Sequence, residues 1–297
     1  MTDLCVAAVA AHLAPAADWQ APLVWPQIDS TQTQMRQLLL SSTDVGPKWR
    51  LMVADQQSQG RGRGGAQWMA YGGAALLMTL AGPLDLLAQH WPKLSLVAGW
   101  TVLEELLRLP CLAHLPPGDL RLKWPNDLLV RRGSTWLKLA GILTERLERA
   151  AAAPQWLCGL GLNLSAVPPA LADTAACLSD VALGPIPPRD LLAGQLASAL
   201  AQSAQALAHR QGALPMAQLQ SHLAFVGERV LLDLGAAEGQ QWVELHGITA
   251  SGALYATPMG DSTLAPRPYL PLAILEAQPS GWRAPIRTAL HPAVESP

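Results

Sequence analysis

Apolar residues follow three different rhythms along this chain. Up to Pro26 the sequence is rich in Ala and Pro and predicts no clear element. The run DSTQTQMRQLLLSS then sets Met35, Leu38 and Leu39 at helical spacing behind Asp29 and Ser30, two residues that favour helix N-caps. RLMVAD and AALLMTL read as short strands separated by a polar loop. Pro92 opens a longer apolar stretch, PKLSLVAGWTVLEELLRL, that predicts a buried helix. LRLKWP, DLLV, TWLKLAGILTERL and QWLCGLGLNLS predict successive strands, with turns at Pro125–Asn126 and Arg132–Gly133–Ser134. Two helices follow, RDLLAGQLASALAQSAQALAHRQG, closed by Gly212, and the shorter PMAQLQSHLAF.

From Gly227 the rhythm shortens. GERVLLDL, QQWVELHGI, GALYAT and YLPLAILEA predict brief strands divided by Gly, Ser and Pro, with no helical spacing. The expected organisation is an extension over 1–25, a main domain over 26–224 and a small β-barrel-like domain over 225–278. A loose Pro-rich tail is expected over 279–297. The class is α+β: a mixed sheet with helices packed on it, and a second, all-β unit.

Composition adds limits. With 297 residues, half of them apolar and 14% charged, the chain can bury a sizeable core. A net charge of −2 argues against a general nucleic-acid-binding surface, so any anion site must be local. The four cysteines, Cys5, Cys111, Cys158 and Cys177, are scattered without a C-x-x-C pair. They read as reduced thiols of a cytoplasmic protein. The start, MTDLCVAAVAAHLAP, has Asp3 where a signal peptide carries basic residues, and no apolar run approaches the ~20 residues that span a bilayer.

Candidate chemistry concentrates in ADQQSQGRGRGGAQW, where residues 60–65 hold two arginines and four glycines. Gly60, Gly62 and Gly65 satisfy G-x-G-x-x-G, but AQWMAYGG follows instead of the helix that a dinucleotide fingerprint requires. An RGG-type nucleic-acid contact and a merely solvated loop stay open, although RGG segments usually repeat. A loop that orders around a small-molecule phosphate accounts for every residue type present. Glycines let backbone N–H groups approach an anion, while Arg61 and Arg63 supply charge and paired donors.

With this loop, KWPND at 123–127, KLAGIL at 138–143 and GLGLNLS at 159–165, the chain resembles the biotin–protein ligases. DSTQ at 29–32 precedes them in the expected order, and the resemblance runs from about Ile28 to Gln278. It implies the biotin-ligase fold, related to the class II aminoacyl-tRNA synthetases, with a C-terminal SH3-like barrel. It also implies an ATP- and Mg²⁺-dependent reaction in two steps. Biotin is activated as biotinyl-5'-AMP, then transferred to a lysine of a biotin carboxyl carrier protein.

By the same resemblance, Ser30, Thr31, Gln32, Gln57, Arg61, Gly62, Arg63 and Lys138 bind biotin. Arg61, Arg63, Trp68, Asn126, Lys138 and Asn163 meet the nucleotide. Lys138, Arg63 and Asp127 are the catalytic candidates, Asp127 as an aid to Mg²⁺ binding or to deprotonating the incoming lysine. Metal ligands are not assigned. Plainer readings use the same residue types: N-capping for Ser30–Gln32, turn chemistry for Asn126–Asp127 and a backbone-satisfied amide for Asn163. Trp124 reads as core or wall.

Departures are equally visible. Gln32 stands where the family commonly has Asn, and Ala66 and Gly64 replace basic residues of the usual loop. Only 29 residues precede Ser30, so a monofunctional ligase without a DNA-binding domain is expected. Homodimerisation stays open. The rivals are a lipoate ligase or lipoyl/octanoyl transferase of the same fold, and a non-catalytic RGG-type nucleic-acid binder.

Overall fold

The computed structural model describes residues 4–283 except 16, 43–45, 47, 150–151, 261–263, 271–272 and 279–281. The chain opens with α1 (Val6–Ala11) and β1 (Leu23–Ile28), then α2 (Thr31–Ser41), β2 (Arg50–Gln57) and β3 (Ala75–Pro83). α3 (Lys93–Leu107) leads into β4 (Leu120–Lys123), β5 (Asp127–Arg132), β6 (Thr135–Arg149) and β7 (Ala152–Asn163). α4 (Arg189–His209) and α5 (Met216–His222) close the first part. β8 (Arg229–Asp233), β9 (Gln240–Ile248), β10 (Leu254–Pro258), β11 (Arg267–Tyr269), β12 (Ala273–Gln278) and β13 (Trp282–Arg283) complete the second.

Seven strands form one mixed sheet in the order β1-β2-β3-β7-β6-β5-β4, parallel between β1 and β2 and antiparallel elsewhere. The region expected as a small barrel is a six-stranded antiparallel sheet, β11-β10-β9-β8-β12-β13. The expected α+β class is therefore the class observed. Of the segment expected as a loose tail, Trp282–Arg283 pair with β12 and the remainder lies outside the described residues.

Helix α2 forms as its sequence indicates. Ser30 is extended at the N-cap, and its hydroxyl accepts from the Thr33 amide at 3.4 Å. The buried face carries Thr31, Gln32, Met35 and Leu39. Met35 and Leu39 pack with Met52, Ala81, Leu147 and Leu157 on one side of the sheet. Helix α3 buries ten of its residues, and α4 packs beside it on the main core. α1 and β1 were not predicted, for a physical reason. α1 buries only Val9, and β1 is an edge strand with Trp25, Pro26 and Gln27 exposed, so neither has an apolar period to read.

The two parts of the chain touch through specific bonds from a turn and from α5. The Trp124 indole N–H donates to the Gly252 carbonyl at 2.9 Å, and the Gln220 amide donates to the Ile248 carbonyl at 3.3 Å. One hydrophobic cluster runs from Leu4 through Val230, Leu232 and Ile274.

Candidate active site

The floor of the site is a stretch of sheet without side chains. Gly161 of β7 lies directly opposite Gly141 of β6 and Leu77 of β3; Gly159, two residues back, lies opposite Leu143 and Thr79. Residues two apart on a strand share a face, so Gly159, Gly161 and Asn163 point the same way. The indole of Trp68 lies on this floor. A Cβ on Gly161 would stand 2.3 Å from the ring and one on Gly141 would stand 3.0 Å from it. Any larger residue there would lift Trp68 away. The indole N–H is buried with no hydrogen-bond partner among the described residues.

Trp68 ends the Gly–Arg loop, which is closed on itself. The Gly62 amide donates to Ala66 O at 2.7 Å and the Trp68 amide to Gly60 O at 2.9 Å, while Gly64 and Gly65 turn the chain at φ of 64° and 79°. Arg61 reaches Glu145 on β6 at 2.7 Å. The Arg63 guanidinium lies 5.8 Å from the Trp124 ring centroid. Along the loop runs an open cleft of about 430 Å³ lined by its own residues, Gln59 to Gly62 and Gly65 to Gln67.

At one end of the floor the groups are neutral. The Thr31 amide and hydroxyl both donate to Gln57 Oε1, at 2.7 and 3.0 Å. Because a backbone N–H can only donate, the Gln57 oxygen must face α2 and its NH₂ must face away. That Nε2 is 3.1 Å from where a Cβ on Gly60 would stand, so its donors are on the loop side. Thr79 is fully buried, with its hydroxyl 2.9 Å from Thr31 Oγ1 and 3.2 Å from Gln32 Oε1. Gln32 Nε2 reaches the Leu143 carbonyl at 3.5 Å, and its Oε1 overhangs Gly159, 2.7 Å from a would-be Cβ. Gln32 fits because Gly159 has no side chain.

At the other end the groups are ions. Lys138 Nζ lies 2.7 Å from Asp127 Oδ1, and Lys123 Nζ lies 3.3 Å from Asp127 Oδ2. The local pairing explains how Lys138 comes to this face. Between β5 and β6 the register slips, so that Leu128 faces Ala140 while Leu129 faces Lys138. The extra residue, Leu139, is a bulge that turns Lys138 onto the side of Gly141, where the missing side chain leaves room for it. A Cβ on Gly141 would stand 3.1 Å from Lys138 Cε. β7 ends opposite Ala140, and residues 174–176 return to pair with Lys138, whose amide donates to Thr174 O at 2.9 Å.

Burial pushes the Asp127 carboxyl up, but the two ammonium groups and their hydrogen bonds outweigh this and hold it below the usual carboxylate range. Burial likewise pushes Lys123 down, and Asp127 offsets that only in part. An Asp whose two oxygens face lysines and which resists protonation is a poor proton acceptor at neutral pH. It is an equally poor ligand for Mg²⁺. Among the described residues no group of three or more His, Cys, Asp or Glu could hold a metal ion. With both oxygens engaged by lysines, Asp127 does not fit a Mg²⁺ ligand.

Most sequence-predicted residues meet here: Thr31, Gln32 and Gln57 at the neutral end, Trp68 on the floor, and Asp127 and Lys138 at the charged end. Ser30 caps α2 behind them. Asn126 and Asn163 are drawn into the backbone instead. The Asn126 side chain donates to Ile142 O at 2.8 Å, and that of Asn163 to Ala176 O at 3.0 Å, bracing the strand that carries Lys138. Sequence reasoning missed Thr79, Gly141 and Glu145, and left Lys123 without a role. Thr79 did leave a signal, as the lone polar residue of AALLMTL. It also missed the pair of half-buried Asp55 and buried Arg189, 2.6 Å apart.

Residues 24–163 match the model of the biotin/lipoate A/B protein ligase family. A biotin–[acetyl-CoA-carboxylase] ligase of Paracoccus denitrificans is 32% identical over 236 residues, covering 76% of this chain and 90% of that protein. The chain belongs to this family.

A second family member, the biotin–[acetyl-CoA-carboxylase] ligase of Mycobacterium tuberculosis, is 34% identical over 60% of this chain. The match spans 62% of that protein's length, and 40% of the Escherichia coli ligase/repressor BirA. Among solved structures, the biotin protein ligase of Aquifex aeolicus in complex with biotin and ATP superposes with a TM-score of 0.61 at 21% identity. It covers 84% of this chain and all of that one. The Leishmania major biotin protein ligase with biotinyl-5-AMP gives 0.52 at 20% identity. These likenesses concern the fold, which is the family's mixed sheet with a second β unit.

Proposed function

We propose that the chain is an ATP-dependent ligase that activates biotin and joins it to a lysine of a biotin carboxyl carrier protein in the cytoplasm. What carries this reading is the arrangement of the floor: neutral donors and acceptors at one end, Lys138 at the other, and Trp68 between them. A urea ring needs directed hydrogen bonds, whereas a carboxylate meeting a phosphate needs fixed positive charge. The biotin ureido group lies at Thr31, Gln32 and Gln57, and its carboxylate at Lys138. The nucleotide lies along the loop, beside Arg61, Gly62, Arg63 and Trp68. The names and ligands of the relatives favour biotin over lipoate.

A biotin carboxylate oxygen attacks the α-phosphorus of ATP, and the bond from that phosphorus to the β-bridging oxygen breaks, releasing pyrophosphate. Lys138 and Arg63 stabilise charge on the phosphoryl oxygens as the phosphorus becomes five-coordinate. Asp127 orients Lys138. The carrier's neutral lysine amine then attacks the acyl carbon, the bond to the AMP oxygen breaks as AMP leaves with its electron pair, and the nitrogen gives up its extra proton to solvent as the amide forms. Nothing in this scheme calls for DNA, and among the described residues no helix is long and apolar enough to cross a membrane.

The test is exchange of labelled pyrophosphate into ATP, with biotin or lipoate supplied separately. Exchange should require biotin and disappear in Lys138→Ala and Arg63→Ala. Exchange driven by lipoate alone would transfer the assignment to the family's lipoate branch; RNA binding without exchange would overturn it.

A further inference from the structure

We propose that Lys123 is a positioning residue: it anchors one oxygen of Asp127 so that the other oxygen holds Lys138 without neutralising it. This deepens the ligase reading and rests on it for the role of Lys138. Lys123 is the last residue of β4 and Asp127 the first of β5, directly opposite each other across the Trp124–Asn126 turn. Asp127 in turn stands opposite Gly141, in the gap that Lys138 crosses. The three side chains thus form a row with the carboxylate in the middle.

Their exposures differ. The Lys123 side chain is 11% exposed and that of Asp127 14%, whereas Lys138 is 31% exposed. Lys138 can therefore meet a ligand while Lys123 lies behind. A buried ammonium needs a counter-ion, and the carboxylate of Asp127 is there to supply it. That engagement fixes Oδ2 and leaves Oδ1 for Lys138. The groups that bear on this carboxylate are Lys123 from β4, Lys138 from β6 and, through its charge on Lys123, Arg63 from the loop. Two lysines share one carboxylate, so the carboxylate does not neutralise Lys138 in full where the anions must meet. Without Lys123, Asp127 is free to turn both oxygens on Lys138 and cancel it.

The test uses the full chain with Lys123→Met, Lys123→Gln and Lys123→Arg. In the exchange assay, Met and Gln should lower kcat about 10- to 100-fold, less than the roughly 100- to 1,000-fold loss of a direct electrostatic contributor because Lys123 acts through Asp127, and change the KM for biotin less than threefold. Arg should restore most of kcat. The carboxyl resonance of Asp127, followed by carbon NMR against pH, should titrate at higher pH in Met and Gln than in wild type, because one of two ammoniums is gone. Arg should leave it in place.

Wild-type kcat in a folded Met or Gln variant would overturn the proposal. So would equal impairment of Met, Gln and Arg with an unmoved carboxyl titration, which is the signature of a purely structural lysine. If wild type exchanges with neither biotin nor lipoate, the ligase reading fails instead. The NMR titration still decides whether Lys123 sets the state of Asp127.

Discussion

The two ends of the glycine floor are built by opposite means. At the Thr31–Gln57–Thr79 end every group is neutral, and the information lies in direction. One backbone N–H fixes which way Gln57 faces, and that bond cannot be reversed. At the Lys123–Asp127–Lys138 end direction matters less than balance, because two ammoniums face one carboxylate. Neutral bonds at a buried site discriminate between ligands, since a mismatched donor or acceptor is left unpaired. Surplus charge in a site of low dielectric stabilises a transition state whose own charge is building. Substitutions at the charged end should therefore act chiefly on kcat, and those at the neutral end chiefly on KM.

The largest expected effect belongs to the charged end. Lys138→Ala should lower kcat for pyrophosphate exchange by about 100- to 1,000-fold, the loss typical of a preorganised charge aimed at a developing anion. An effect below about tenfold on kcat would erase the distinction between the ends.

A smaller effect tests the neutral end by shape alone. Gly159→Ala drives a methyl group against Gln32 Oε1 and should raise the KM for biotin about tenfold, roughly 1.4 kcal/mol, with kcat little changed. Gln32→Asn shortens the side chain and should restore KM in the double variant. If the second substitution gives no rescue, Gln32 is not what occupies that space.

The charged end should also reveal itself as acid sensitivity. The Asp127 carboxyl is held below its ordinary value of 3.8 in the folded chain. Its stabilisation is complete above that value and is lost as pH falls through the lowered one. The resistance of wild type to urea should therefore fall with pH below about 4. Asp127→Asn should be less stable at neutral pH, with both lysines deprived of this carboxylate, and the gap to wild type should narrow in acid.

The smallest effect is expected at the latch of the loop. The Arg61–Glu145 pair is partly exposed, so Glu145→Gln should change stability by less than about 1 kcal/mol. A larger loss in thermal unfolding would mean that the latch, and not the packing of Trp68, holds the loop down.

Legibility in the sequence followed physics that is local. Helix α2 was readable because its cap and its apolar period are both written into DSTQTQMRQLLLSS. The Gly–Arg loop was readable as a loop because its glycines and arginines carry no apolar period. Strand β1 was not, because an edge strand with exposed Trp25 and Gln27 has no inward period. Asn163 was ambiguous because a buried amide looks the same in sequence whether a ligand or a carbonyl satisfies it.

The sequence by itself determined the α+β class, the family resemblance and the chemical types present: a cationic glycine loop, two motif lysines and a run of polar residues at a helix start. Those depend on neighbours within a few positions. Only the tertiary structure decided that Thr79 lies beside Thr31, that Gly141 and Gly161 make one floor for Trp68, and that a bulge turns Lys138 toward Asp127. These depend on which strands pair and in what register, and register is set by side chains far apart in the chain.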